Sequence, residues 1–480
     1  MRRVGRGAEA LGLLAGALLA LGASPPLTSP SPFPSTAEVR RILAERVDAI
    51  SGPRPKVGIV VGLVSPAGRT VVGYGPPGAD GSLTVDGDTV FEIGSVGKVL
   101  TALLLSDMAL RGEVALQDPV ARYLKSGVTI SERPGHPIRL VDLATHTSGL
   151  PFMPDAIPAW NAPGTPPYGA AEIYNFLGSY SLKRDPGTDW DYSNLGYWLL
   201  GEALASRAGI DFETLLERRI LVPLNLESTS FTVPERLKTR LALGHDASLA
   251  PAPAFGMLTV YNAMPAAGGL LSTANDLVRL VAAALGVDPS PLGPSLDAML
   301  ETRRPGAGGE QAMGWVVTGK GEEALVTHDG FTWGYTAAVA WDPSRKVGVV
   351  VISNQASGVS DIARHLLRPS SPLETPPVWR HNETALAPGA LEAFPGTYDL
   401  VDEGVARIVR ESQTLVLELP RSWGLPRFRL HPAGPKDFFV RELPIRVVFE
   451  TDESGRVVRI MLTPPRGQHV IPADRIAPKG

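Results

Sequence analysis

The sequence predicts an α+β protein in two parts. The first is one antiparallel sheet assembled from both ends of a long segment, with helices against it; the second is a small C-terminal antiparallel β domain. Three observations carry this. β-Branched runs at 57–64, 70–74 and 335–353 bracket a block from about 105 to 310 that reads as helical with long loops. Short runs separated by turns fill residues 396–462, a pattern that suggests a barrel. A length of 480 residues also suits about two domains.

Composition sets bounds on function. Apolar content of 44% and charged content of 20% are ordinary for a chain that buries a core. The net charge is −4, and no dense Lys/Arg tract or basic stripe points to a nucleic-acid partner. The absence of cysteine excludes disulfides, thiolate metal sites, a cysteine nucleophile and a lipidated N-terminal cysteine. With 51 glycines and 45 prolines, turns are frequent.

Residues 1–24 read as a signal peptide. Arg2, Arg3 and Arg6 precede an apolar run from Ala10 to Ala23, and Gly22, Ala23 and Ser24 suit cleavage. The run is shorter than the roughly 20 residues of a membrane span; an uncleaved N-terminal anchor is the alternative. No second long apolar run follows, so no stable membrane insertion is expected beyond this segment. The expected location is secreted or periplasmic. Residues 25–37 form a Pro/Ser-rich linker.

Ser35-Thr36 caps a helix carrying Val39, Ile42, Leu43, Val47 and Ile50. Val57–Val64 is a buried strand, and Thr70–Tyr74 its hairpin partner. A Gly/Asp-rich loop over 75–88 leads to Phe91-Glu92-Ile93-Gly94-Ser95-Val96-Gly97-Lys98, which opens an apolar helix. Val141–Thr145 is short and apolar and ends in a capped turn at His146–Pro151. Ser193–Ser206, Asp211–Ile220 and Thr273–Leu285 are further helices. Gln311–Thr318 and Glu323–His328 are short strand candidates, and 335–341 with 347–353 forms a strong hairpin. The first domain is assigned to 38–365, a linker to 366–388 and the β domain to 389–478. Seven strands are expected in the β domain, the last at Val457–Leu462.

Ser95 and Lys98 are neighbours on one helix face, near a helix N-terminus where free N–H groups favour negative charge. That is the geometry of an acyl-transfer nucleophile and its amine base. An N-cap serine followed by a surface lysine would look the same. Tyr192-Ser193-Asn194 follows a turn at Pro186-Gly187 and precedes a helix. A phenol near an ammonium is pushed toward phenolate, so Tyr192 is a candidate proton relay. Asn194 is a candidate to hold a substrate amide or Lys98; otherwise Tyr192 packs and Asn194 caps the helix. In His328-Asp329-Gly330 the alternation of a strand turns His328 and Asp329 to opposite faces, which argues against a Ser-His-Asp triad. Gly330 would let a substrate lie along the strand, and the N–H of Phe331 is the candidate partner of the Ser95 N–H in an oxyanion hole.

Ser95-x-x-Lys98, Tyr192-x-Asn194 and His328-x-Gly330 occur in the order and rough spacing of the serine β-lactamase and penicillin-binding-protein superfamily. The chain resembles most its class C β-lactamase-related branch of esterases, D-amino-acid peptidases and carboxypeptidases. Supporting phrases are Thr145–Pro151, Pro186–Tyr197, Pro265–Ala274 and His328–Tyr335. The resemblance covers about residues 38–365, and the C-terminal part is similar to lipocalin-like domains appended to some members. It implies a β-lactamase/transpeptidase-like sheet with an all-helical subdomain, and attack by Ser95 on an ester or amide of a small molecule or short peptide. Lys98 and Tyr192 share the base role, and Asn194, His328, Gly330 and Phe331 face the substrate. No metal and no cofactor is implied. A non-catalytic sensor or binding protein with the same fold is the alternative. Members acting on β-lactams usually carry lysine where His328 stands, so poor β-lactam turnover is expected here.

Other features carry less. His146 reads as structural within its turn. No Gly-x-Ser-x-Gly elbow exists, because Ile93 occupies the first position, and no His-Glu-x-x-His occurs. Asn382-Glu383-Thr384 matches a glycosylation sequon. Trp160, Trp190 and Trp333 are candidates for pocket walls as well as for core.

Overall fold

The computed structural model describes residues 31–52, 55–78, 84–125, 127–130, 132–154, 169–252, 264–375, 383–387, 389–401, 404–420, 425, 427–441, 443–464 and 470–477. The expected signal peptide, the first part of the linker that follows it, Trp160 and Asn382 lie outside the described residues.

Ten helices are named here: α1 (Thr36–Ser51), α2 (Gly97–Leu110), α3 (Leu140–Ala144), α4 (Ala170–Ser179), α5 (Asn194–Ala208), α6 (Phe212–Leu216), α7 (Pro265–Gly268), α8 (Ala274–Ala284), α9 (Gly293–Ala298) and α10 (Ser360–Leu367). The strands of the first part are β1 (Ile59–Ser65), β2 (Gly68–Tyr74), β3 (Val90–Glu92), β4 (Leu271–Thr273), β5 (Arg303–Gly306), β6 (Gly309–Ala312), β7 (Val316–Thr318), β8 (Leu325–Phe331), β9 (Thr336–Asp342) and β10 (Val347–Ser353). Eight of them form one antiparallel sheet in the order β2-β1-β10-β9-β8-β7-β6-β5. The α+β class and the sheet built from both chain ends are therefore as the sequence predicts.

The central strands are buried on both faces, which is why β1, β9 and β10 read as unbroken apolar runs. Val60, Val64, Val350, Ile352 and Val339 face the helical core, where Val278 of α8 sits against Gly62. Ile59, Val61, Leu63, Val349 and Val351 face α1 and α10 through Val39, Leu43, Ile362 and Leu366. On that side Arg46 of α1 bonds the Asp361 carboxylate of α10. The helix α2 is buried on all sides from Gly97 to Met108, so an all-round apolar sequence places it at the centre of the helical region.

Several elements differ from the sequence reading. Gln311–Thr318 is not one strand. Gly314 takes a left-handed φ of 73°, and Ala312 N–H closes onto Trp315 O at 2.8 Å, so β6 turns sharply into β7. Glu323 lies in a 3₁₀ turn rather than in β8, and β8 runs past His328 to Phe331. The block expected to be helical contains β4 and β5. The short ladder β3–β4 was not foreseen, because three-residue strands show no period.

The C-terminal part is a closed barrel of β11 (Gly396–Asp399), β12 (Val405–Glu411), β13 (Thr414–Glu418), β14 (Phe428–Gly434), β15 (Asp437–Phe439), β16 (Arg446–Thr451), β17 (Val457–Thr463) and β18 (Ile471–Ile476). The eighth strand closes it by pairing with β11 and β17. Sequence reading missed β18 because Pro472, Asp474 and Arg475 mask its alternation, although Ala473 points inward. The interior is filled by Tyr398, Ile408, Leu417, Phe438, Phe449 and Leu462 and their neighbours. Phe394 and Phe438 pack on Phe449 with ring centroids 4.3 and 5.5 Å away. This barrel has a side-chain core.

Candidate active site

Two local features aim Ser95. The ladder β3–β4 brings in the chain, and Ile93 N–H extends it by bonding Leu270 O at 3.1 Å. Gly94 then takes a φ of 50°, and a Cβ there would lie 2.6 Å from Phe331 O and 2.8 Å from Phe331 N. Only glycine fits this approach. Ser95 follows in a 3₁₀ turn that runs straight into α2, half-buried where the residues around it are buried.

Lys98, one turn on, is fully buried. Its Nζ lies 3.0 Å from Ser95 Oγ and donates to the carbonyl of Ala267. That carbonyl is presented by α7, which Thr101 also holds through a 2.8 Å bond to Ala266 O. Burial pushes the Lys98 ammonium well below its ordinary range. A buried amine in its neutral form has a lone pair for the Ser95 proton. Burial thus weakens the pull that a Lys98 charge exerts on the Tyr192 phenol. The tyrosine ring nevertheless lies where a relay would need it, its centroid 5.0 Å from Nζ.

The sequence reading gave His146 a structural part, and the structure shows what it holds. Its carbonyl accepts from Asp191 N–H at 2.8 Å, and its Nδ1 accepts from Ser193 N–H at 3.1 Å. The imidazole stacks on Tyr192 with ring centroids 4.3 Å apart. His146 therefore clasps Tyr192 from both chain neighbours and from one ring face. Because Nδ1 accepts, the ring is neutral, and burial holds its pKa well down. The same turn continues the template: Gly187 N–H bonds Thr147 O at 2.7 Å, Ser193 Oγ donates to Pro151 O at 2.7 Å, and Asn194 N–H bonds Phe152 O at 3.0 Å. Trp190 ties this loop to the sheet, its Nε1–H donating to Gln311 Oε1 at 3.1 Å.

We expect His146→Ala to lower kcat about 10- to 100-fold, the range a misplacement near 1 Å produces. The pH–rate profile should keep both its limbs, since His146 does not titrate near neutrality. Loss of a limb in that variant would make His146 a base instead.

Ser193, not Asn194, caps α5, accepting from Gly196 N–H at 2.8 Å. Asn194 does not bond Lys98. Its Oδ1 is buried without a partner among the described residues, an acceptor left for an incoming N–H.

His328 faces the site and Asp329 faces out, as strand alternation requires. The Nδ1 of His328 lies 2.9 Å from Asp329 O. A carbonyl only accepts, so Nδ1 carries the proton and Nε2 is an acceptor. Burial above all pushes its pKa down to about 3, so the third motif offers no cation. Gly330 serves the packing of the nucleophile turn. A Cβ on it would fall 2.0 Å from Ile93 O, so only glycine admits the backbone of that turn here. Thr332 N–H bonds Tyr335 O at 2.9 Å in the β8–β9 ladder. By alternation the N–H of Phe331 points away from β9, on the edge beside Gly94. That orientation suits the second oxyanion donor. No group of three or more His, Cys, Asp or Glu among the described residues could hold a metal ion, and no described helix is long and apolar enough to cross a membrane.

Comparison with known proteins gives the family. The β-lactamase family model matches residues 44–369, which include all the site residues above. The chain belongs to the β-lactamase family. Among β-lactamase relatives, the D-alanyl-D-alanine-carboxypeptidase/endopeptidase AmpH of Escherichia coli (strain K12) is 26% identical over 379 residues, spanning 74% of this chain and 94% of that protein. A β-lactamase/D-alanine carboxypeptidase from Yersinia pestis, solved with citrate, is 26% identical with a TM-score of 0.56, over 67% of this chain and 92% of that one. A class C β-lactamase structure at 21% identity shares the fold with a TM-score of 0.60, over 71% of this chain and 96% of its own. This chain is a serine hydrolase of the β-lactamase/D-Ala-D-Ala carboxypeptidase type.

Proposed function

We propose that this β-lactamase-family hydrolase cleaves an ester or amide bond of a small molecule or short peptide through an acyl intermediate on Ser95. The observation that carries the reading is the 3.0 Å approach of Ser95 Oγ to a wholly buried lysine amine. Oγ attacks the carbonyl carbon as its proton passes to Lys98 Nζ. The backbone N–H groups of Ser95 and Phe331 hold the oxygen that becomes negative. The tetrahedral species collapses, the bond to the leaving alcohol or amine breaks, and that group takes the proton from Lys98 directly or through the Tyr192 hydroxyl. Water then hydrolyses the acyl-serine and restores Ser95 Oγ–H. Asn194 Oδ1 accepts from a substrate N–H. The intact set of Ser95, Lys98, Tyr192 and Asn194 favours this over a non-catalytic binding role. The N-terminal run at 10–23 after Arg2, Arg3 and Arg6 supports export to the periplasm or beyond.

The substrate is not expected to need a carboxylate near the third motif. His328 and His146 are held neutral and Lys98 is driven toward its neutral form, so the groups around Ser95 give little attraction for an anion. Purified protein should hydrolyse p-nitrophenyl esters and amide or D-amino-acid amide substrates while turning over nitrocefin poorly. His328→Lys should raise the preference for carboxylate-bearing substrates about 10- to 100-fold, the worth of one charge-assisted hydrogen bond of about 1.5–3 kcal/mol. Nitrocefin turnover by the wild type at the rate of a dedicated β-lactamase would sink this reading of specificity.

A further inference from the structure

The residue that supplies the second oxyanion donor is also one on which the C-terminal barrel rests. β7 pairs with β8 only at Leu325–Thr327; beyond it the edge of β8 at Gly330–Phe331 meets the nucleophile turn at Ile93 and Gly94. The Phe331 N–H points to the edge without that pairing. An oxyanion donor tolerates little displacement, so whatever packs on this strand end bears on it.

The barrel packs on this strand end from outside the nucleophile turn. The side chains of Phe331 and Trp333 are half-buried against its apolar cluster. Trp333 also packs on the helical core, so it bridges both bodies. Its ring meets that of Phe428, the first residue of β14, at 5.8 Å and 64°, an edge-to-face contact. Two backbone bonds fasten the barrel nearby. Ser248 N–H bonds Arg441 O at 3.1 Å, and Thr384 N–H of the connecting segment bonds Pro432 O at 2.9 Å. The barrel interior is filled by its own side chains, so its contribution is sought at this contact and not in a lumen. The family match stops at residue 369, before the barrel begins, so the aromatic pair at 331 and 333 is covered by an element outside the matched region.

We propose that the C-terminal barrel braces the oxyanion strand, with Phe428 as a positioning residue that fixes Phe331 N–H through Trp333. The proposal rests on the acyl-serine reading above. Its test uses the full chain carrying Phe428→Ala, Phe428→Leu or, as a control inside the barrel, Phe449→Leu. Two quantities are read: the rate of Ser95 phosphonylation by a fluorophosphonate, and kcat and KM for p-nitrophenyl acetate. Phe428→Ala should slow phosphonylation and lower kcat about 10-fold or more while KM stays within about twofold, because only transition-state stabilisation is lost. Phe428→Leu should recover most of the rate. Phe449→Leu should lower the melting temperature and leave the phosphonylation rate alone. Should Phe428→Ala fail to fold, Trp333→Leu removes the same contact from the catalytic side and should show the same fall in kcat. A folded Phe428→Ala or Trp333→Leu protein that reacts at the wild-type rate overturns the brace. A wild-type protein that takes no label at Ser95 overturns the acyl-serine reading itself, and so the two failures are distinguishable.

Discussion

Ser95→Ala is expected to abolish hydrolysis, with kcat down by at least about 1,000-fold, while the fold survives. The loss is large because Oγ is the atom that forms the covalent bond, and no other group in the site replaces it. The structural cost is small. Ser95 is half-buried, and its side chain is in contact with Lys98 Nζ alone among the described hydrogen bonds. Lys98 keeps its bond to Ala267 O. Losing one hydrogen bond of this kind changes stability by about 1 kcal/mol, which moves the melting temperature by a few degrees at most in a chain of this size. Turnover of a p-nitrophenyl ester and a thermal melt of the same sample check both halves. Unchanged hydrolysis in the variant would remove Ser95 from the mechanism.

Lys98→Met is expected to cost about as much activity and to alter how stability depends on pH. Methionine fills much of the same buried space without a lone pair for the Ser95 proton. Folding takes the Lys98 amine out of water, so its folded pKa lies well below the unfolded value of about 10.4. Between those two values the unfolded chain binds more protons than the folded one. Stability of the wild type therefore rises with pH across that window, and the burial penalty is fully present below it. The variant lacks this contribution. Its stability relative to wild type should be greatest at neutral and acidic pH and should decline as pH climbs toward 10. Urea titrations of both proteins at pH 6, 8 and 10 measure the difference. A constant difference would mean that Lys98 is charged in the folded protein, and the base assignment to a neutral amine would fall with it.

The sequence showed the nucleophile helix, the strands from both ends and the three motifs, because each rests on a short period or a short spacing. Ser95 and Lys98 lie one helical turn apart, so their contact is local and readable. What the sequence did not show depends on chain segments meeting over long distances. The bond from Lys98 to Ala267 O uses a carbonyl that every residue type carries. The clasp of His146 on Tyr192 needs the turn at 146–151 laid along the loop at 186–194. The close approach of Ile93 O to Gly330 joins segments more than 200 residues apart. Burial is equally invisible in a spacing: the sequence offers Lys98 as a cation beside Tyr192, and its enclosure disfavours that charge. In the barrel, β18 stayed hidden because its proline and its outward Asp474 and Arg475 break the apolar alternation. Trp333, a candidate for pocket wall or core by sequence, packs on the apolar clusters of both bodies.

The most direct test of the account is covalent. Native wild-type protein is treated with a fluorophosphonate at neutral pH, and the adduct is located by intact mass and peptide mapping. The account predicts a single adduct, on Ser95, that forms in the wild type and is absent from Ser95→Ala and Lys98→Met. An adduct on any other residue, or none on the folded wild-type protein, would contradict it.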